Sequence, residues 1–210
     1  MGTKYLPVTT KQTDSICQMA NDKEVGRVRF QKALDDGSIS RFLDSLKWKP
    51  VEIKLSDGTS AQIIEIEVEV EQDCEWQSAV NAAGPNTPSD YNVRKVGDQY
   101  TPVGKGKVKE KLILLNFPSG GGSWNKAITW AKAENHKQTN PREALAIGEH
   151  HPKLHEQIGQ NPMYAVATTD CSFEGCRSAC YVWWIDSERK ADLDWVEHFG
   201  SARTWFVFRK

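Results

Sequence analysis

Residues 60–72 read SAQIIEIEVEVEQ, with Ile64, Ile66, Val68 and Val70 on one parity and Glu65, Glu67, Glu69 and Glu71 on the other. A period of two with one apolar parity predicts an antiparallel strand that buries a single face. Val51, Ile53 and Leu55 alternate in the same way just upstream, and Asp57-Gly58 supplies the turn, so 51–71 reads as a β-hairpin. Four carboxylates stacked on one pleated face repel one another unless cations sit opposite. Lys105, Lys107, Lys109 and Lys111 also recur every second residue. The two segments are therefore expected to be neighbouring strands with the Lys row facing the Glu row. Such exposed pairs contribute only about 0.2–1 kcal/mol each, but a slip of one residue would expose the whole apolar parity, so their larger effect is on register.

Elsewhere the period is mostly helical. Ile16, Met19 and Ala20 share a face, followed by Val25, Val28, Phe30 and Leu34. Asp36-Gly37-Ser38 breaks the run, and Ser38 is placed to cap a short helix carrying Ile39, Phe42, Leu43 and Leu46. This predicts an N-terminal helical layer packed on a sheet. A short helix is expected around Trp76, Ala79 and Val80, and residues 82–104, rich in Gly, Pro, Asn and Asp, form an irregular connection. Residues 112–132, LILLNFPSGGGSWNKAITWAK, read as strand, glycine corner and helix, with Ser123 as N-cap. Asn140-Pro141-Arg142-Glu143 opens a second helix, with Asn as cap, Pro at the first position and Glu at the third. A turn at His151-Pro152 leads to Leu154, Ile158 and Gly159, and the remainder is β: MYAVATT, ACYVWWID, a segment around Trp195, and TWFVFRK. The nearly continuous apolar run at 181–185 predicts a strand covered on both faces. The fold class is α+β: a helical segment over 1–50, a hairpin and irregular connection over 51–111, and a mixed region over 112–210.

The order of parts in that last region, a glycine corner, a W-x-x-A-x-x-W-A helix, an N-P-R-E-A-L helix, a strand ending in Thr168-Thr169, an aromatic strand and a final strand ending in Arg209, resembles the C-type lectin-like fold. The versions it is most similar to are bacterial: the sulfatase-modifying, formylglycine-generating type and the variable receptor proteins of diversity-generating retroelements. Trp124, Ala127 and Trp130 match the first helix of that pattern, Pro141, Arg142 and Glu143 the start of the second, and Thr168-Thr169 the strand end. Gln138-Thr139-Asn140-Pro141 stands where the family has Arg-Leu-Pro-Thr, and the Glu-Pro-Asn and Trp-Asn-Asp triplets of calcium and sugar sites do not occur. Calcium-dependent sugar binding is therefore not implied, and the paired catalytic cysteines of the formylglycine-generating type have no clear counterpart. What the resemblance implies is a scaffold over 112–210 of a kind that mostly presents a binding surface.

Charge and composition narrow the chemistry. A formal net charge of −1 gives no global field for nucleic acid or an anionic membrane, and a Lys row matched by Glu is not free to hold phosphate. The start MGTKYLPVTTKQ lacks an apolar core with a cleavage site, and no run approaches roughly eighteen apolar residues, so no membrane segment is expected. Five cysteines, an odd number, read as reduced thiols in a cytoplasm. The glycine run Ser119-Gly120-Gly121-Gly122-Ser123 lacks the Gly-Lys-Ser/Thr of a phosphate loop and reads as a corner.

Two sets of candidate residues remain. Cys171, Cys176 and Cys180 are spaced C-x4-C-x3-C, without the C-x2-C knuckle of structural zinc, while His151 and His155 stand one helical turn apart. An enzyme or metal protein would draw its nucleophile and base from Cys171, Cys176 and His151, with Glu149 or Asp170 to orient the base, or its metal ligands from His151, His155, Cys171 and Cys176. The other set is aromatic. Of eight tryptophans, Trp124, Trp130, Trp183, Trp184, Trp195 and Trp205 lie beyond residue 120, and adjacent Trp183 and Trp184 must point to opposite faces of a strand. The leading expectation is a non-catalytic binding module for a protein or small ligand, without cofactor. Its contact residues are expected to be Trp183 and Trp184 together with Arg189, Asp192, Trp195, His198 and Arg203 on surface loops.

Overall fold

In the computed structural model, which describes residues 17–18, 20, 22–23, 25–39, 41–42, 49–102 and 104–210, the hairpin is formed by β1 (Val51–Lys54) and β2 (Ser60–Glu71). Gly58 takes a positive φ of 81° in the turn, and the Thr59 N–H donates to Asp57 Oδ1 at 2.9 Å. β2 pairs antiparallel with β3 (Lys107–Asn116) in the register Glu67↔Lys111, Glu69↔Lys109 and Glu71↔Lys107. The ion pairs run diagonally, Lys107 to Glu69 at 3.0 Å and Lys109 to Glu67 at 3.8 Å, and Lys210 reaches Glu65 at 2.7 Å. Ile64, Ile66, Val68 and Val70 are all buried behind them, as the alternation requires.

The chain forms two compact units, Met1–Lys49 and Pro50–Lys210. In the first, α1 (Arg27–Asp35) lies where the helical period puts it, yet it buries none of its residues, and Val28 is 83% exposed. Ile16, Met19, Leu43 and Leu46 of the expected helical faces lie outside the described residues.

The second unit is α+β, with one sheet running through it. Helix α2 (Trp76–Ala83) follows β2, and α3 (Trp124–Ala133) follows β3. After β4 (Lys137–Gln138) come α4 (Pro141–His150) and α5 (Leu154–Ile158). The remaining strands are β5 (Met163–Ala167), β6 (Cys171–Phe173), β7 (Cys176–Ile185), β8 (Glu188–Trp195) and β9 (Thr204–Arg209). The order is β1-β2-β3-β9-β5-β7, with β8 on the far edge of β7, and only β9 and β5 run parallel. The boundary expected after residue 111 falls inside β3, so residues 51–111 and 112–210 share this sheet. Among the described residues no helix is long and apolar enough to cross a membrane.

Of the three expected caps, those at Ser123 and Asn140 are present, whereas Ser38 lies within its helical turn and its N–H and Oγ both donate to Asp36 Oδ1, at 2.9 and 2.5 Å. Ser123 Oγ accepts from Lys126 N at 3.2 Å at the start of α3, and Asn140 and Glu143 form a capping box on α4. Buried hydroxyls hold the centre of the sheet: Thr139 and Thr168 both donate to the Val207 carbonyl, at 2.8 and 2.6 Å, which ties β4 and β5 to β9. Asn116 Nδ2 donates to the carbonyls of Ala202 and Thr204, both at 2.8 Å, which fixes the turn into β9.

The two faces of the sheet are covered unequally. On one, α4 packs across β2, β5 and β7, with α2 against α4 and β8. On the other, α3 covers β3 and β9, where Trp124 and Trp130 meet Phe206 and Phe208 edge to face at 6.2 and 5.9 Å. That helix does not extend over β7 and β8. Over them lies only the segment after β8, a 3-10 turn at Val196–His198 and the residues leading to β9.

A candidate binding pocket on the open face of the sheet

The register of three strands places the side chains of this open region. Tyr164 of β5 pairs with Trp183 of β7, and Trp183 with Lys190 of β8. One step along, Val166 pairs with Tyr181 and Tyr181 with Asp192; the next cross-strand partners are Ala179 and Asp194. All of these project to the face that α3 leaves open, because side chains of one parity share a face. Between them and the returning segment is a pocket of about 250 Å³ lined by Tyr164, Tyr181, Trp183, Asp194, His198, Phe199, Ser201 and Thr204.

Its walls are aromatic, and its polar lining is Asp194, His198, Ser201 and Thr204, with one carboxylate among them. Tyr164 meets Tyr181 at 86° and 5.9 Å, and Tyr181 meets Phe199 at 70° and 5.4 Å. The Tyr181 hydroxyl donates to Asp192 Oδ2 at 3.4 Å. Burial raises the Asp192 carboxyl above the ordinary carboxylate range, and burial together with Asp192 and Asp194 raises the Tyr181 phenol. Asp194 Oδ1 takes His198 Nδ1 at 2.8 Å and the Trp195 N–H at 2.7 Å. Lys190 Nζ sits 5.0 Å from the centre of the Trp183 ring and 2.7 Å from Glu188.

The expected contact residues divide. Trp183 and His198 line this pocket, and Asp192 lies behind its Tyr181 wall. Trp195 is 47% exposed beside it, its ring 5.1 Å from His198, and Arg203 is exposed on the returning segment. Trp184 belongs to the opposite face: it is 1% exposed, donates from Nε1 to the Pro152 carbonyl at 3.0 Å, and stacks on His155. It therefore cannot contact a partner at this surface. Arg189 is not on a loop but in β8, where its guanidinium caps α2 by donating to the carbonyls of Ala83 and Ala82 at 2.6 and 3.3 Å. Asp192 and Trp195 also lie in β8 rather than in loops, Trp195 as its last residue. The strand expected to be covered on both faces is covered on one; Tyr181 and Trp183 remain half-buried.

The cysteine and histidine set does not assemble. His151 Nε2 meets the Glu67 carbonyl at 2.9 Å, and buried His155 meets the Asp186 carbonyl at 3.1 Å. Cys176 faces Phe173 across the β6–β7 turn. Burial pushes the Cys171 and Cys180 thiols up, away from the thiolate a nucleophile needs. Among the described residues no three His, Cys, Asp or Glu side chains are grouped to hold a metal ion. Two other cavities, of about 380 and 210 Å³, flank Arg142, whose guanidinium already donates to the Cys74 carbonyl at 2.6 Å and lies over the Trp76 ring at 5.6 Å.

Tyr164, Tyr181, Asp194, Phe199, Ser201 and Thr204 join the site although the sequence pattern does not mark them. The sequence does carry one signal for the strand face: Lys190, Asp192 and Asp194 alternate with Ala191 and Leu193, the pattern of a strand with one uncovered side. Which aromatic residues face those acids depends on pairing, and no local pattern shows it. No protein family, no curated protein and no solved structure matches the chain.

Proposed function

We propose that the chain is a non-catalytic binding module, cytoplasmic, whose contact surface is the pocket over β5, β7 and β8 with Trp195 and Arg203 at its rim. The observation that carries this reading is the placement of Tyr164, Tyr181 and Trp183 half-buried around a cavity on a part of the sheet crossed by a short segment rather than by α3. Where α3 and α4 pack on the central strands, Leu112, Ile113, Leu114, Leu115, Phe206 and Phe208 are by contrast sealed. A concave aromatic site with a few convergent polar groups is the usual form of a ligand or anchor-residue pocket. The resemblance of residues 112–210 to scaffolds that present binding surfaces agrees with it, and so do five unpaired thiols with a reducing compartment.

A thermal-shift screen of the full chain against amines, amino acids, carboxylates, sugars and nucleotides tests the reading. At least one class is expected to raise the melting temperature of the wild type and not that of Trp183→Ala. The reading fails if no class does so, or if every stabilising compound acts equally on the variant. A single thiol reacting far faster than the others at neutral pH would also overturn it, in favour of an enzyme built on Cys171 or Cys176.

A further inference from the structure

Resting on the reading of this pocket as the binding site, we propose that its ligand carries an alkylammonium group, supplied either by a lysine side chain, methylated or not, or by a small free amine of the choline kind. Three observations converge on that chemistry. The first is the attitude of the rings. Tyr164, Tyr181 and Phe199 all line the pocket, and successive rings cross at 86° and 70°, so they do not form a pair of parallel plates. A tetrahedral cation can be met by ring faces from several sides at once, whereas a planar guanidinium or nucleobase stacks on one face.

The second is charge. Asp194 lines the pocket and Asp192 lies behind Tyr181. Both donors that reach Asp194 go to Oδ1, so among the described residues Oδ2 has no hydrogen-bond partner. A carboxylate oxygen beside aromatic walls attracts a cation and repels an anion; the nearby His198 already shares its Nδ1 with that same carboxylate.

The third is that an ammonium of the chain itself already uses one of these walls. Lys190 Nζ lies 5.0 Å from the Trp183 ring centre. The pairing puts Lys190 on the β8 side of Trp183 and Tyr164 on the β5 side; Tyr164 and Trp183 line the pocket and Lys190 does not.

Titration of the full chain with choline, and with the carbon analogue in which a tert-butyl group replaces trimethylammonium, separates charge from shape. Choline is expected to bind at least about tenfold tighter than the neutral analogue, the difference a partly desolvated cation–π site supplies. Asp194→Asn, which keeps the side chain's shape, is expected to weaken choline at least about fivefold and leave the alcohol unchanged. A capped Nε-trimethyl-lysine methyl amide binding more tightly than choline identifies a protein side chain as the source; the reverse order identifies a free amine. Equal binding of choline and its neutral analogue, or an Asp194→Asn variant with an unchanged ratio, overturns the ammonium assignment. If choline and the lysine amide are silent while a neutral or anionic compound binds in a Trp183-dependent way, the assignment fails and the pocket reading stands. If no compound binds in that way, both fail.

Discussion

Trp183 and Trp184 are consecutive in one strand and have opposite fates. Trp184 is sealed: its N–H is used by the Pro152 carbonyl and its ring by His155. Trp183 is half-buried beside a cavity, with Lys190 on one side and Tyr164 on the other. The strand itself is the same for both, since it only sends alternate side chains to opposite faces. The difference lies in what the chain returns over each face. The crossover from β4 to β5 lays α4 and α5 over the Trp184 side, whereas the other side receives α3 over β3 and β9 and only a short segment over β7 and β8. The half-face over β7 and β8, crossed by that short segment, is where the proposed binding site lies.

The most direct way to break that comparison is to truncate both indoles. Trp184→Ala is expected to destabilise the fold by about 3–5 kcal/mol, the usual cost of emptying a sealed aromatic site, as read from the urea midpoint. Trp183→Ala is expected to lose clearly less stability and all ligand-dependent stabilisation. Equal losses would mean that the two faces are equally core.

Each face also holds a carboxyl raised by burial, and they differ in degree. Asp192 on the open side is half-buried, whereas Glu143 on α4 is 3% exposed. Burial lifts Glu143 from 4.5 to about 7, against the opposing pull of Arg209 at 3.5 Å and of the Asn140 N–H at 2.8 Å, with Glu110 reinforcing the rise. An acid with a raised folded-state value contributes stability that is complete below its unfolded value and is lost as pH rises through the folded one. Wild-type stability is therefore expected to fall relative to Glu143→Gln between pH 4.5 and 7, by up to about 3 kcal/mol at 1.36 kcal/mol per unit. A difference that stays flat across this window would show that Glu143 is not sealed. Asp57, held down to about 2 chiefly by Thr59, titrates below the window and does not confuse the reading.

How much of this was readable beforehand follows from whether a feature is local or paired. The β2 alternation, the Glu–Lys register, the Ser123 cap and the capping box at Asn140–Glu143 depend on residues close in sequence or on two matched periodic rows, and all are present. The pocket depends on β5, β7, β8 and the 196–204 segment meeting, so its acids and aromatics are distant along the chain. Arg189 shows the limit plainly. A charged residue after a turn reads as surface, yet its stem is half-buried and its guanidinium closes the end of α2, more than a hundred residues earlier, with bonds to Ala83 and Ala82. Trp184 failed as a contact residue for the same reason: alternation told that the two indoles part company, but only the α4–α5 crossover decides which one is sealed.

A smaller effect sharpens the closed side. Gly148 of α4 lies so close to the end of α2 that a Cβ there would overlap the Ala83 carbonyl. Gly148→Ala must push the two helices apart, and about 2 kcal/mol of destabilisation is expected, as for other overpacked sites. No ligand effect accompanies it if the open face is independent of α2 and α4. A parallel loss of binding would instead mean that the helices hold β8, through Arg189, in the position the pocket requires.

The smallest expected change is the most diagnostic for the rim. Trp195 is nearly half exposed and touches His198 rather than the core, so Trp195→Ala is expected to alter stability by no more than about 0.5 kcal/mol. In the proposed binding reading, an aromatic so placed at the pocket edge excludes water around the anchored group. The same variant is then expected to weaken a capped lysine amide or peptide, which extends past the pocket mouth, while leaving choline, which does not, nearly unaffected. If Trp195→Ala instead destabilised the fold by several kcal/mol, the indole would be serving the core, and the rim would have to be drawn without it.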